Sequence, residues 1–509
     1  MNIKQAKEEV IHTVKAYLKK DDRGEYVIPV IRQRPLLLLG APGIGKTQIM
    51  EQIARECRIG LVAYTITHHT RQSAVGLPFI KEQIFGGQEF SVTEYTMSEI
   101  IASVYREIEA GQPEGILFID EINCVSETLA PTMLQFLQCK SFGNQSVPEG
   151  WIIVAAGNPP EYNKSVRDFD MVTLDRVRRI GVEADYTVWR DYARQQHINS
   201  GILSYLELRP QNFYRVQTDV DGMQFVTARG WEDLSNLMEV YEDLGQSVDE
   251  EIIQEFLQFP EVAKDVSAYL DLYRKYEDDY AIADILEGTV NEEIYQRITR
   301  ATFDERLSVV NLLLSALNRG FQEVARIKSV TDRWYVFLKE YRDGLGELSQ
   351  DGDCNVLYME LWDRRKEEFD KDKRSGFMTK QERRCRESLL EELKKGRPEN
   401  GLDANDAFSS AKDGFDDWQE RLTHLEDVTL KELEYAFSFM ESAFQNGHEM
   451  VVFVTELTMG AESSAFLQDN FCQSYLKYNK ELLVGSRRAD IISKLEEGKI
   501  RSEEHIRDF

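Results

Sequence analysis

Several features that define other classes of protein are missing from these 509 residues. No apolar run reaches the length of about 18 residues that a membrane span needs, and the first residues lack the apolar core of a signal peptide. The six cysteines are scattered without CxxC spacing, so the sequence indicates neither a zinc site nor a disulfide framework. We therefore expect a soluble, cytoplasmic protein with reduced thiols and no membrane contact.

A basic excess is also missing, because 61 lysines and arginines face 89 acids and the net charge is −28. Proteins that track nucleic acid normally carry a basic stripe that releases counterions, although a local patch could lie within an acidic total. The charge therefore makes nucleic acid an unlikely partner. The length and the 42% of hydrophobic residues predict two or three domains with ample core.

The most informative segment is GAPGIGKT, which follows the apolar run Pro35–Leu39. A glycine-rich loop between a strand and a helix is the context of a phosphate-binding loop. Its backbone N–H groups would surround the phosphates of ATP, the lysine would reach the β- and γ-phosphates, and the threonine hydroxyl would hold Mg²⁺. The predicted nucleotide-binding residues are Gly40, Ala41, Pro42, Gly43, Ile44, Gly45, Lys46 and Thr47.

A second apolar strand, Gly115 to Ile119, ends in the adjacent acids Asp120 and Glu121. Nucleotide hydrolases with a phosphate loop need a carboxylate near Mg²⁺ and a group that polarises the attacking water. We predict that Asp120 contributes to the metal site together with the loop threonine, and that Glu121 is the catalytic carboxylate.

A third strand, Trp151 to Ala156, leads into Gly157-Asn158-Pro159. The Asn158 amide can donate and accept hydrogen bonds, so we predict that it orients the lytic water and senses the γ-phosphate. The alternative is that Asn-Pro only ends the strand as a turn.

Three arginines follow in TLDRVRR: Arg176, Arg178 and Arg179. An arginine in this place could reach the nucleotide of a neighbouring subunit and stabilise charge in the transition state. A solvated basic cluster is the alternative, and the residues alone do not choose among the three.

The segments GAPGIGKT, FIDEIN, LAPTMLQFLQ, AAGNPPEY and TLDRVRR, in this order, resemble the MoxR family of AAA+ ATPases over about residues 1–275. In this family the arginine that reaches the neighbouring subunit's nucleotide, called the arginine finger, belongs to a DRF triplet. This triplet maps onto Asp175-Arg176-Val177, with valine in place of phenylalanine. Arg229, in Thr227 to Trp231, looks like the lid arginine that contacts the γ-phosphate of its own subunit. The alternative for Arg229 is an ion pair with a neighbouring acid.

The resemblance implies a hexameric ring that hydrolyses ATP at its subunit interfaces and remodels or matures a client protein. It also implies cooperation with a von Willebrand A domain, which must belong to a partner protein because this chain has no DxSxS motif of its own. Two other functions stay open: a nucleic-acid motor of the restriction type, and a nucleotide-gated scaffold with little turnover.

The expected fold is α/β, an αβα sandwich around a five-stranded parallel sheet, with strands beginning near Pro35, Gly60, Gly115, Trp151 and Arg179. We expect the nucleotide-binding core at residues 1–184, a helical lid at 185–275 and a charged helical domain at 276–509. A hairpin insert around Gly86-Gly87 is also predicted.

Residues 401–470 combine many acids with aromatic side chains, among them Phe408, Phe415, Trp418, Phe437, Phe439, Phe444 and Phe453. This composition suggests a docking surface for a partner, although aromatics at helical spacing are more often part of a core.

Overall fold

The computed structural model describes residues 1–68, 70–142, 145–162, 169, 171–218, 222–348, 353–374, 376 and 378–480. The chain forms two compact units. The first comprises Met1–Tyr192, Pro210–Ala263 and Asp372–Met378, and the second comprises Ala193–Arg209, Lys264–Lys371 and Thr379–Phe509. Residues 481–509 of the predicted C-terminal domain lie outside the described residues, and the three-domain division stays a prediction.

The strands are β1 (Leu36–Gly40), β2 (Gly60–Thr65), β3 (Pro78–Phe85), β4 (Gln88–Tyr95), β5 (Gly115–Asp120), β6 (Ser141–Phe142), β7 (Gln145–Ser146), β8 (Trp151–Gly157), β9 (Arg178–Val182), β10 (Arg215–Thr218) and β11 (Met223–Val226).

The helices are α1 (Ile3–Tyr17), α2 (Lys46–Cys57), α3 (Arg71–Val75), α4 (Glu99–Glu109), α5 (Ala130–Cys139), α6 (Met171–Arg176), α7 (Tyr186–Gln195), α8 (Ser200–Leu208), α9 (Ala228–Asp243), α10 (Glu250–Phe256), α11 (Pro260–Asp279), α12 (Ile282–Glu287), α13 (Glu292–Arg300), α14 (Phe303–Glu347), α15 (Cys354–Arg374), α16 (Lys380–Lys395), α17 (Ala404–Phe444), α18 (His448–Met459) and α19 (Ala461–Asp469).

The centre of the first unit is a parallel five-stranded sheet in the order β2-β5-β8-β1-β9. Its three central strands, β5, β8 and β1, are almost fully buried, which explains their continuous apolar sequences. Each strand begins at or within one residue of its predicted start. The α/β fold with a five-stranded parallel sheet is therefore confirmed.

The sheet has a hydrophobic core on each of its two faces. Successive residues of a strand belong to different cores, because side chains of a strand alternate between the faces of a sheet. Leu36 and Leu38 pack with α1 and α2, whereas Leu37 packs with α4 and α5. Helix α1 begins with a capping box in which Asn2 and Gln5 satisfy each other's backbone N–H groups. It ends at Tyr17.

The predicted hairpin around Gly86-Gly87 is present as the antiparallel pair β3 and β4. The segment predicted as a helical lid also contains strands, since β10 and β11 form a second antiparallel hairpin. Alternation in Arg215-Val-Gln-Thr and Met223-Gln-Phe-Val explains these strands, but each is too short to stand out against the helical pattern around it.

The second unit is built of helices, the longest being α14 with 45 residues and α17 with 41. Helices α15 and α16 pack through Tyr358, Leu389 and Leu393 into a core with α14 and α17. In the described part of the chain no single helix is long and apolar enough to cross a membrane. The bent pair α18 and α19 passes that test together, by length and composition alone.

Most aromatics of residues 401–470 are buried or half-buried in the second unit, whereas Tyr435 is 42% exposed. Phe437, Phe439 and Phe453 are at most 1% exposed. Phe415 and Trp418 are half-buried and pack against Trp334. The core interpretation is therefore correct for these side chains, and they are not a free docking surface.

Candidate nucleotide-binding site

The predicted site residues meet at one edge of the sheet. Strands β1, β5 and β8 are parallel neighbours, so their carboxyl ends lie side by side. The last residues of these strands are Gly40, Asp120 and Gly157. They begin the phosphate loop, begin the acid pair and precede Asn158, respectively. Crevices at the carboxyl ends of strands are the usual ligand sites of open α/β sheets.

The glycines of the loop are needed for its shape. Gly43 has φ +73° and Gly45 has φ +92°, values that L side chains rarely adopt. A Cβ on Gly43 would also lie 2.8 Å from the Cβ of Thr227. The loop therefore turns sharply into α2 while the residue before α9 lies against it.

Lys46 is almost fully buried, and its Nζ atom is held by three oxygens. It donates to the carbonyls of Gly40 and Ala41, each at 2.8 Å, and to Oδ1 of Asn158 at 3.0 Å. Burial lowers the pKa of Lys46 to about 8, while the charge of Asp120 opposes this shift and that of Arg229 adds to it. An anionic ligand at this place would favour the charged lysine.

Thr47 and Asp120 lie together, with Oγ1 of the threonine donating to Oδ2 of the carboxylate at 2.7 Å. Neighbouring ligands of an octahedral Mg²⁺ are about 3 Å apart, so this spacing fits two adjacent oxygen ligands. The described residues contain no group of three or more His, Cys, Asp or Glu that could hold a metal ion. These two residues could therefore hold Mg²⁺ only together with phosphate oxygens and water.

Glu121 has an unusual backbone conformation. Its φ is +55°, which is uncommon for a residue other than glycine and is often found at functional sites. Its N–H donates to Oδ1 of Asp120 at 2.9 Å, and its Oε2 accepts a hydrogen bond from Thr67 Oγ1 at 3.1 Å. The two acids are therefore turned to separate partners, one toward the loop threonine and one toward Thr67.

Asn158 is fixed by its neighbour Asn123. The Asn123 side chain donates to the Asn158 carbonyl at 2.7 Å and accepts from the Asn158 N–H at 3.2 Å. A Cβ on Gly157 would be 2.6 Å from Asn123 Oδ1, so glycine is required there. This clamp leaves the Asn158 side chain directed at Lys46, its hydrogen-bond partner.

Arg229 belongs to the first turn of α9, next to the phosphate loop. Its backbone N–H donates to the Gly43 carbonyl at 3.2 Å, while its side chain is exposed. Two other residues join this region to the loop: Tyr214 donates to the Pro42 carbonyl at 3.0 Å, and Glu232 accepts from Gln48 at 3.2 Å. The structure therefore brings Arg229 to the loop, as its predicted role requires.

The three candidate finger arginines differ in their surroundings. Arg178 is paired with Glu9 and donates to Thr13 at 2.7 Å, so its guanidinium is committed to α1. Arg176 and Arg179 are exposed, and Arg176 donates to Gln138. In the part of the chain that the structure describes, no hydrogen bond joins Arg176 to the phosphate loop. Its predicted action on a neighbouring subunit stays a prediction.

Four residues of this site were missed at the level of sequence: Thr67, Asn123, Tyr214 and Thr227. Thr67 and Asn123 carried a usable signal, because polar residues that closely follow β2 and β5 must lie at the same sheet edge as the phosphate loop. Tyr214 and Thr227 carried none, since their places depend on how the chain returns to the loop after β9.

One comparison with known proteins bears on this site. Residues 36–173 match the family model described as "ATPase family associated with various cellular activities (AAA)". No curated protein matches the chain. The match spans the strands β1 to β8 and therefore includes the phosphate loop, the acid pair and Asn158. It supports an AAA+ ATPase, a class whose members in general bind ATP with Mg²⁺ and hydrolyse ATP.

Proposed function

We propose that this protein is a MoxR-like AAA+ ATPase that hydrolyses ATP at the interfaces of a homo-oligomeric ring, a hexamer, and uses the energy to remodel or mature a client protein. The observation that carries the proposal is the connected set of contacts from Thr47 to Asp120 and from Lys46 to Asn158. We further propose a cytoplasmic location and a partner with a von Willebrand A domain.

The chain's own residues would divide the work of hydrolysis. Lys46 would exchange its contacts with loop carbonyls for contacts with phosphate oxygens, and Asn158 would follow because it is bonded to Lys46. Bound Mg²⁺, held through Thr47 and Asp120, would neutralise charge on the phosphates. Glu121 would hold and polarise the attacking water once Thr67 releases one of its oxygens.

The γ-phosphate would act as the switch of the cycle. Contacts to Lys46, Asn158, Arg229 and a neighbour's Arg176 would exist before hydrolysis and be lost after it. Because Arg229 lies in the first turn of α9, next to the loop, its contact would couple the nucleotide state to the position of this helix. Such coupling is what a remodelling enzyme needs.

Steady-state release of phosphate tests the proposal. Wild-type protein should hydrolyse ATP, whereas Glu121→Gln should bind ATP and turn over at least about 100-fold more slowly, because an amide keeps the shape but polarises water poorly. The trapped variant should also retain client and partner in affinity purification. A wild type without turnover would support the scaffold alternative, and stimulation by DNA that is lost in salt would support the motor.

A further inference from the structure

We propose that a cavity in the second unit binds an organic cation, namely an ammonium group on an aliphatic stem. The ligand could be a free amine or the lysine side chain of a partner protein. The cavity has a volume of about 630 Å³ and lies among α11, α12, α14 and α17. This size is within the usual range for ligand pockets. None of the residues that line the cavity belongs to the nucleotide-binding site, so the inference goes beyond the proposed ATPase function.

The lining is strongly biased toward negative charge. Glu277 and Asp278 of α11, Glu287 of α12 and Glu432 of α17 face a single base, Arg319 of α14. Two of these acids, Glu277 and Asp278, lie in the last turn of α11, and this turn contains no basic residue. The negative end of a helix disfavours carboxylates, so this arrangement leaves an attractive field for a cation.

Two oxygens of the lining lie beside the same glycine. A Cβ on Gly320 would lie 3.1 Å from Thr429 Oγ1 and 3.6 Å from Glu432 Oε2, so both atoms lie near the backbone of α14 at this one position. Thr429 is 1% exposed, and its Oγ1 has no hydrogen-bond partner in the part of the chain that the structure describes. A buried hydroxyl without a partner is costly, and a donor from a ligand would satisfy it.

Glu432 is the natural counter-ion for such a ligand. Burial raises the pKa of its carboxyl group, and the charge of Arg319 lowers it only in part. A second cation beside the carboxylate would favour its charged form. The ammonium group would thus donate to Glu432 and Thr429 at the same end of the cavity.

The remaining wall suits an aliphatic stem. Ile282 and Leu286 are buried, and Ala316 and Val428 add further apolar surface to the lining. Lysine-like ligands bury their methylene groups on such surfaces while the ammonium group meets polar partners. An inorganic cation could not bury apolar surface against these side chains, and for this reason we infer an organic cation.

Calorimetric titration of the full-length protein with cadaverine, a diamine on a five-carbon chain, tests the proposal. We expect one saturable site per chain and no binding of the neutral diol of the same length. Glu432→Gln and Thr429→Val should each weaken binding, the former about tenfold. Ala316→Leu, which fills the cavity without changing charge, should weaken binding as well. Glu434→Gln is the matched control, because Glu434 is exposed on the same helix and does not line the cavity.

Equal weakening by Glu432→Gln and Glu434→Gln would show that the diamine is only a counterion of an acidic protein, and the proposal would be wrong. Absence of saturable binding would contradict it too. A short capped peptide with one lysine distinguishes the two ligand sources. If the peptide binds at this site and its norleucine version does not, the ligand is a partner's lysine. Binding of cadaverine alone indicates a free amine.

Discussion

Protonation of Lys46 should make nucleotide binding depend on pH in a defined way. In the free protein, burial lowers the pKa of Lys46 from 10.5 to about 8, and phosphate oxygens would raise it again in the complex. Binding should therefore take up a proton. It should weaken as pH rises above about 8, because neutral lysine must first be charged.

The expected magnitude follows from that pKa. The charged fraction of Lys46 falls from about three quarters at pH 7.5 to about 3% at pH 9.5, which corresponds to a roughly 25-fold loss of ATP affinity. Equilibrium binding of a fluorescent ATP analogue at a series of pH values measures the loss. Calorimetry at about pH 9 in buffers of different ionisation enthalpy should show uptake of nearly one proton.

A second lysine provides the control. Burial also lowers the pKa of Lys140 to about 8, and its Nζ donates to the Val30 carbonyl, so it titrates over the same range. Lys140→Arg should leave the pH dependence intact. Lys46→Arg should remove it, because a guanidinium stays charged. An affinity that is flat between pH 7.5 and 9.5, or a dependence that disappears in Lys140→Arg, would refute the reasoning.

Two further substitutions test the site and the core around it. Thr67→Val frees Oε2 of Glu121 from its hydrogen bond, and it should raise basal kcat a few-fold with unchanged ATP affinity; an unchanged kcat would show that Thr67 does not restrain this carboxylate. Trp231→Ala should destabilise the protein by about 3–5 kcal/mol in denaturant titrations, because the indole is fully buried and its Nε1 donates to the Phe213 carbonyl at 3.0 Å. A loss below about 1 kcal/mol would mean that this core tolerates the cavity.

The core sheet could be predicted from sequence because its strands carry unmistakable patterns. Leu36 to Leu39 and Ile116 to Ile119 are continuous apolar runs, and each leads directly into a motif with a chemical role. Local order along the chain was enough to place Asp120 and Asn158 at the carboxyl edge of one sheet.

Contacts between distant segments could not be predicted in this way. Tyr214 meets the Pro42 carbonyl across 172 positions of sequence, and nothing in either segment encodes that meeting. The aromatics of α17 illustrate a second limit of the sequence. Their spacing did not decide whether Phe437 and Phe439 form part of a core or a docking surface, and only the packing of α17 shows that both are buried.

The measurement that tests the central claim most directly is phosphate release from mixtures of two inactive variants. Lys46→Ala should lack nucleotide binding, and Arg176→Ala should bind ATP without turnover, because the exposed Arg176 is proposed to act on the neighbouring subunit. In mixed rings, Lys46→Ala subunits would supply the arginine to intact pockets, so activity should be partly restored. Failure of this rescue in assemblies confirmed to be mixed, or near wild-type turnover of Arg176→Ala alone, would contradict hydrolysis at shared interfaces.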